Sequence, residues 1–397
     1  MQARYRYRFY PTDQQKQALA KVFGCVRFVW NEALAHCQAV GKYPGYNALS
    51  KRLTGLKQSV AWLKEVSSVA LQQSLRHLDQ VYRRFFENKG GFPHFKKKQS
   101  KQSLTLVANS FSLKGERVHL AKIGTIQPIW SRPLPSQPSS VTVIKDCAER
   151  YFVSFVVEVE PMRVPAQSPS VGVDLGIKTV AAVSNRAQYH SPNDEPLYRR
   201  IAQLQKPLAR RVQGSKRWER TRLRMAKLHR RLADLRLDFL HKLSTKLISE
   251  NQVVCLEDLN VSGMLKNRKL SRAISRQGWG MFRALCEAKG GKYGREVRVI
   301  DRWAATSQHC SKCGWHWGKL DLATRVVVCD GCGTVHDRDG NASRSIEQVG
   351  MGQSAPRRQG ERPTLERMWR LFAPAGRSPS KTSLLASVCE ASRILAL

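Results

Sequence analysis

A chain of 397 residues with 68 Lys and Arg against 30 Asp and Glu carries a formal net charge of +38. Folding needs no such excess, and the chain would repel itself unless a polyanion lay against it, so DNA, RNA or an anionic membrane surface is the implied partner. No run of 18 apolar residues exists, which excludes a membrane-spanning helix, and ten cysteines in a chain without a signal-peptide pattern do not read as a disulfide framework.

The start, Met1-Gln-Ala-Arg-Tyr-Arg-Tyr-Arg-Phe9, alternates basic and aromatic residues, a composition that suits nucleic acid better than lipid. Residues 3–9 read as a strand with Ala3, Tyr5, Tyr7 and Phe9 on one face and Arg4, Arg6 and Arg8 on the other. Tyr10-Pro11 ends it, and Thr12-Asp-Gln-Gln15 has the form of a capping box opening a helix. Leu19, Val22, Phe23 and Val26 then recur at helical spacing, and Leu71, Leu75, Leu78, Tyr82 and Phe85 form a second apolar stripe over residues 66–88. Both stripes read as core packing, so residues 12–88 form a small helical unit. Asn88-Lys-Gly-Gly-Phe-Pro93 breaks it.

Phe95-Lys-Lys-Lys98 opens a β-rich stretch, with strands expected at 104–107, 117–120, 141–144 and 151–159. The pattern implies a small barrel or sandwich with the helical unit inserted after its first strand. A linker over 161–170 precedes a new domain at Val171-Gly-Val-Asp174, with a second strand at Val180–Val183. Residues 197–249 read as two long basic helices, and Met225, Leu228, Leu232, Leu235, Phe239 and Leu243 supply an apolar stripe. Arg210, Arg211, Lys216, Arg217, Arg220, Arg222 and Arg224 crowd around Gly214 with few acidic partners, a pattern that favours phosphate contact over mere solvation. Val253–Leu256 is a short strand ending in Glu257, 279–292 a helix, 297–300 a strand and 341–348 a last helix. Beyond Gly350 the chain turns to Gly, Pro, Ser and Arg, which implies a mostly disordered tail with a weak helix near 364–372.

Cys310-Ser-Lys-Cys313 and Cys329-Asp-Gly-Cys332 are two knuckles separated by 15 residues, a spacing that supplies four thiolates to one tetrahedral zinc ion. Asp174, Glu257 and Asp339 each lie in or beside an apolar element. Singly they read as a hairpin acid, a strand-end acid and a helix-start acid. Jointly they point to a hard divalent cation, because carboxylates gathered in a core take up protons unless a cation neutralises them. Two such ions about 4 Å apart can activate a water and stabilise the leaving oxygen of a phosphodiester.

Taken together, these pieces resemble the TnpB family, insertion-sequence proteins related to type V CRISPR nucleases. Arg8-Phe-Tyr-Pro11 with Gln15, Arg27-Phe-Val-Trp-Asn31 and Phe92-Pro-His-Phe-Lys96 carry the resemblance in the first half. Asp174-Leu-Gly-Ile-Lys178, Leu256-Glu-Asp-Leu-Asn260, Thr306-Ser-Gln-His-Cys310 and Asp339-Gly-Asn-Ala342 carry it in the second. The resemblance implies an α/β multidomain fold: an RNase H-like (RuvC) nuclease domain with a zinc-ribbon insertion, plus a wedge β-barrel carrying an inserted helical recognition domain. The implied boundaries are 1–10 for the first barrel strand, 11–92 for the recognition domain and 93–165 for the rest of the barrel. The nuclease domain follows at 170–304, the ribbon at 305–335, the last nuclease segment at 336–350 and the tail at 351–397.

It further implies Asp174, Glu257 and Asp339 as catalytic ligands of two Mg²⁺ ions, with Mn²⁺ able to substitute. Cys310, Cys313, Cys329 and Cys332 would hold one structural zinc ion. The implied partners are a guide RNA from the element's end and target double-stranded DNA, with no membrane, a monomeric state and a cytoplasmic, nucleoid-associated place of action in a bacterium or archaeon. Candidate nucleic-acid contacts are Arg4, Arg6, Arg8, Arg27, Lys96, Lys97, Arg210, Arg211, Arg217, Arg220 and Arg224. Asp337, two residues before Asp339, is a possible helper of it. A non-cleaving RNA-guided DNA-binding regulator and a strand-joining DNA transposase stay open as alternatives.

Overall fold

The computed structural model describes residues 1–162, 165, 168–321 and 324–353. The tail expected to be disordered, with its weak helix near 364–372, lies outside the described residues from 354 on.

Strand β1 (Gln2–Phe9) alternates as its sequence does, with Tyr7 and Phe9 buried and Arg4 exposed. Thr12 then accepts the Gln15 N–H at 3.3 Å while the Gln15 side chain accepts the Thr12 N–H at 3.0 Å, both halves of the capping box. Helix α1 (Asp13–Val40) follows and ends on Gly41, whose φ of 71° is the left-handed cap that glycine adopts without strain. Helix α2 (Tyr46–Ser59) comes next, then α3 (Ser68–Phe86), whose Leu71, Leu75, Leu78 and Tyr82 are buried. The Ser74 hydroxyl donates to the Val26 carbonyl at 3.0 Å, tying α3 to α1 without an orphaned polar group.

The strands that follow are β2 (Gln102–Val107), β3 (Phe111–Lys114), β4 (Arg117–Leu120), β5 (Gly124–Ile126), β6 (Pro128–Ile129), β7 (Ser140–Lys145) and β8 (Tyr151–Glu158). They form a five-stranded sheet in the order β2-β7-β8-β1-β6 and a three-stranded meander β3-β4-β5. β1 is antiparallel to β8 along its whole length, from Gln2 opposite Glu158 to Phe9 opposite Tyr151. The helices therefore interrupt the sheet in sequence but not in space. One apolar core joins them, running from Leu19 and Leu34 through Leu71 and Leu78 to Val143 and Phe155. Both ends of the helical segment are fastened. Gln15 donates to the Thr125 carbonyl at 2.7 Å, Trp30 to the His94 carbonyl at 3.0 Å, and Asn31 exchanges two hydrogen bonds with the Lys96 backbone at 2.8 and 3.0 Å.

The chain continues through β9 (Ser168–Asp174), β10 (Ala181–Val183), β11 (Gln188–Tyr189), α4 (Glu195–Arg210) and α5 (Lys216–Glu250). Next come β12 (Asn251–Glu257), the short α6 (Val261–Met264), α7 (Ser271–Gln277), α8 (Trp279–Tyr293) and β13 (Glu296–Ile300). Last are β14 (Val326–Val328), β15 (Val335–Asp337) and α9 (Arg338–Gly350). The chain divides into two compact units: Met1–Ala166 with Ser191–Glu250 and Gly280–Glu296, and Gln167–His190 with Asn251–Trp279 and the residues from Val297 on.

The second unit holds a five-stranded sheet in the order β11-β10-β9-β12-β13. β10 and β11 run antiparallel as a hairpin continuation of β9, while β12 lies parallel to β9. That order and direction are the RNase H-like arrangement. α9 lies on this sheet, and Gly172 sets how closely. A Cβ at that position would fall 2.0 Å from the Ser343 carbonyl oxygen and 2.6 Å from the Glu347 nitrogen. Both neighbours are backbone and cannot rotate away. Gly172→Ala is therefore expected to destabilise this unit by about 3 kcal/mol or more, by forcing α9 off the sheet; a denaturant midpoint equal to wild type would contradict the close approach.

Candidate functional site

The parallel register places Leu256 opposite Val173, so Asp174 and Glu257 emerge side by side from the same end of β9 and β12. α9 runs back over β9 in step with it. The Ser170 hydroxyl donates to Glu347 at 2.5 Å, and Gly172 meets Ser343. Two residues of strand advance about 6.6 Å and four residues of helix about 6 Å, so the next step of the same match brings Asp174 level with Asp339. The helix begins at Arg338, three residues earlier than its sequence suggested. The reason is Asp337, whose carboxylate accepts the Gly340 N–H at 2.8 Å as the N-cap. Asp337 is thus committed to the helix start, and Asp339 stands in the first turn.

Asp174 feels the charges of both other acids. Burial pushes the Asp174 carboxyl up to about 8, and the nearby charges of Glu257 and Asp339 push in the same direction, against Arg338 and the Leu175 N–H. Glu257 is also raised by burial, opposed by the Thr306 hydroxyl, which donates to it at 2.9 Å. Arg325 lies 3.3 Å from Asp339. Without a cation this cluster keeps a proton at neutral pH. A divalent ion with oxygen preference would replace that proton; the carboxylates of Asp174, Glu257 and Asp339 are of the right chemistry for it, although their oxygens do not all lie within 4.8 Å of one another as the four thiols do. Thr306 and Arg325, which orient two of the acids, were not singled out in the sequence. Thr306 stood within a quoted motif, while Arg325 carried no signal.

The thiols of Cys310, Cys313, Cys329 and Cys332 all lie within 4.8 Å of one another. Cys310 and Cys332 sulfurs are 3.8 Å apart, Cys313 and Cys329 sulfurs 3.5 Å. Tetrahedral zinc with bonds of about 2.3 Å requires a sulfur–sulfur edge of about 3.8 Å, so the cage fits zinc. Each knuckle closes on a glycine: Gly314 N–H donates to Cys310 carbonyl at 2.9 Å and Gly333 N–H to Cys329 carbonyl at 2.7 Å. The Cys332 thiol is lowered, first by the Thr334 hydroxyl 3.2 Å away, while Cys310 is raised by burial and Cys313 by its neighbouring thiols, so without a metal the four sulfurs share protons and do not all ionise. His336 is buried with Nε2 3.0 Å from the Cys310 sulfur. α9 also grips this cluster. Buried Asn341 donates to the His309 carbonyl at 2.7 Å and accepts the Ser311 N–H at 2.8 Å, and Gln348 donates to the Ser311 carbonyl at 2.8 Å. One helix therefore carries Asp339 and braces the first knuckle.

Of the basic candidates, Arg6 and Arg8 gather in the first unit with Arg150, whose guanidinium joins theirs around the Phe152 ring at 4.9, 5.1 and 5.3 Å. Asp146 and Asp234 hold Arg150 at 2.9 and 2.6 Å. A cleft of about 540 Å³ opens there, lined by Arg8, Arg150, Lys227, Arg230 and Arg231 against Glu149 and Asp234. Its arginines come from distant parts of the chain, so sequence reading found only Arg8. Lys96 lies 3.6 Å over the Trp30 ring and burial pushes its amine down to about 8. Arg211 is occupied inside the protein: it donates to the Arg217 carbonyl at 3.0 Å and to the Thr221 hydroxyl, bracing the turn between α4 and α5. Arg4, Lys97, Arg210, Arg217, Arg220 and Arg224 are exposed and Arg27 is half-buried.

An RNase H-like sheet with Asp174 and Glu257 at the ends of adjacent parallel strands, Asp339 in the first turn of the helix packed on it, and a four-thiol ribbon between Glu257 and Asp339 in sequence is the arrangement of a RuvC-type domain. Residues 154–268 match a family model described as "Probable transposase" (OrfB of IS605), and residues 279–346 one described as "Cas12f1-like, TNB domain". Residues 1–41 match a "Helix-turn-helix domain" model, although in this chain they form one strand and one long helix. A Streptomyces pristinaespiralis protein named "Putative RNA-guided DNA endonuclease" is 42% identical over 364 residues, covering 88% of this chain and 90% of the relative. The Escherichia coli K12 protein named "Putative RNA-guided DNA endonuclease InsQ" is 29% identical, covering 87% and 92%. The chain in the solved Cas12f1-sgRNA-target DNA complex shares the fold with a TM-score of 0.54 at 14% identity, covering 84% of this chain and 82% of that one. The chain belongs to the TnpB family, the OrfB-type proteins of IS605-like insertion sequences.

No helix among the described residues is long and apolar enough to cross a membrane.

Proposed function

We propose that this chain is an RNA-guided DNA endonuclease encoded by a transposable element, cutting target double-stranded DNA beside a short flanking motif. The observation that carries this reading is that buried Asp174, at one end of an RNase H-like sheet, lies under the charges of both Glu257 and Asp339. These three side chains would hold two Mg²⁺ ions, which when bound activate a water and stabilise the leaving oxygen of the phosphodiester. The chain's own residues set the geometry. Thr306 fixes the Glu257 carboxylate, Arg325 steadies Asp339, and Gly172 lets α9 approach closely enough to bring Asp339 in. The charge of +38 suits a protein that holds an RNA–DNA heteroduplex by its backbone and leaves sequence reading to base pairing. The cleft around Arg8, Arg150 and Arg230 is a candidate for backbone phosphate contacts.

The test is to purify the chain with whatever RNA it retains, sequence that RNA, and offer a duplex matching its variable end. One discrete RNA species and Mg²⁺-dependent cutting of both strands are expected. Target binding without cutting would favour a regulator, and element excision or strand joining by the protein alone would favour a transposase. Either result overturns the proposal.

A further inference from the structure

Trp303 is 85% exposed, the most exposed large apolar side chain among the described residues. A freely placed indole on the surface would be unremarked, but this one is mounted. The turn that carries it is held by its backbone: the Trp303 main-chain N–H donates to Asp301 Oδ1 at 2.7 Å, the Ala304 N–H to the Asp301 carbonyl at 3.1 Å and the Thr306 N–H to the Ala304 carbonyl at 2.9 Å. On one side Arg302 reaches Asp258, donating to its carboxylate at 2.5 Å and its carbonyl at 3.1 Å. On the other side Thr306 donates to Glu257 at 2.9 Å. The turn is thus pinned at both ends to Glu257-Asp258, the end of the strand that carries a central acid. A flat apolar ring is held out to solvent between those pins.

We propose that Trp303 is a base-stacking residue: an unpaired nucleobase of the DNA strand lying in the acid centre rests on its indole. This rests on the nuclease reading above. The acid centre takes a phosphodiester, and the bases flanking that phosphate must lie within reach of the rim of the site. Every base offers a π-face, so an aromatic plate there serves any sequence, as a guided enzyme requires. Bases within a duplex are already stacked on one another, so the ring selects a strand that has been opened. The fixed turn backbone sets where the side chain leaves the chain, so only its two side-chain torsions are left to order on binding.

The experiment uses the full chain with its retained RNA and a target carrying 2-aminopurine at successive positions around the cut, with Ca²⁺ in place of Mg²⁺ to slow cutting. Wild type is expected to quench the probe at one or two adjacent positions, and Trp303→Ala to restore its emission there. Binding of a pre-opened target should weaken about 5- to 100-fold in Trp303→Ala, the loss of one stacked base. In Mg²⁺, KM should rise while kcat stays within about threefold, and Trp303→Phe should recover most of the loss. Identical quenching profiles and KM in wild type and Trp303→Ala would overturn the proposal. Zinc content and melting temperature check folding of the variant. Should Trp303→Ala lose zinc, the pair Trp303→Phe and Trp303→Leu decides, because stacking predicts recovery by Phe alone and a structural role predicts recovery by both. A wild-type chain that binds but never cuts would sink the nuclease reading, while the quenching profile would still decide the role of Trp303.

Discussion

On the proposed nuclease reading, Asp174→Asn is expected to lower metal-dependent DNA cutting by roughly 10³-fold or more while leaving RNA retention within about twofold of wild type, since the variant would remove a charge from the proposed metal site and keeps the side chain's shape. Its effect on stability is equally diagnostic. In the metal-free protein the Asp174 carboxyl is pushed up to about 8 from an ordinary 3.8. Below about pH 4 it is protonated whether the chain is folded or not, and the site costs nothing. As pH rises from about 4 to 8 the unfolded chain releases this proton and the folded chain keeps it, so stability falls. Above about 8 the folded chain must hold a buried charge beside Glu257 and Asp339. The asparagine variant escapes that penalty. Its melting temperature should therefore match wild type at about pH 4 and below, exceed it increasingly up to about pH 8 and level off above that. Millimolar Mg²⁺ should raise the wild-type value and close the gap, with little effect on the variant. Thermal melts across that range, with and without Mg²⁺, check this. A constant offset at all pH values would show that the Asp174 carboxyl is not raised in the folded chain.

Cys329→Ser is the second change with a large expected effect. The ribbon has a small apolar core, with Val327 and the two cysteines Cys310 and Cys329 among its buried residues, too little to stand without a metal. Structural zinc supplies on the order of 10 kcal/mol of folding free energy in comparable small domains. Losing one of four thiolates should drop zinc well below one per chain and open 305–337 to proteolysis. Cutting should fall by on the order of 10²-fold or more although no cysteine belongs to the acid cluster. The path is explicit: Asn341 and Gln348 bind the first knuckle, and Asp339 stands on the same helix. Zinc analysis, limited proteolysis and cleavage rates on one preparation test it; an intact ribbon after removal of zinc by a chelator would refute it.

The most legible features were those written within a dozen or so residues. The alternation of β1, the Thr12–Gln15 box, the stripe of α3 and the two cysteine knuckles each state their geometry in their own spacing. Helix α2 was not resolved as a separate element, because it buries only Leu49 and Leu53 and so lacks a long stripe. The start of α9 was misplaced because Asp337 and Asp339 are both able to cap a helix, and only the backbone shows that Asp337 takes the Gly340 N–H. The acids could be named, but their convergence depends on the parallel pairing of β9 with β12 and on the missing side chain of Gly172. Neither leaves a local pattern. The same holds for the Arg8 cleft, which assembles arginines from β1, from the turn before β8 and from α5.

The ties made by Gln15, Trp30 and Asn31 have a mechanical consequence. A segment inserted into a sheet usually offers two flexible elbows, one where the chain leaves and one where it returns. Here both elbows are clamped by hydrogen bonds to carbonyls of the host, and a shared core fills the space behind them. The helices and the sheet β2-β7-β8-β1-β6 are therefore joined by backbone ties as well as by apolar packing, so hinging at the insertion point would require those hydrogen bonds to break.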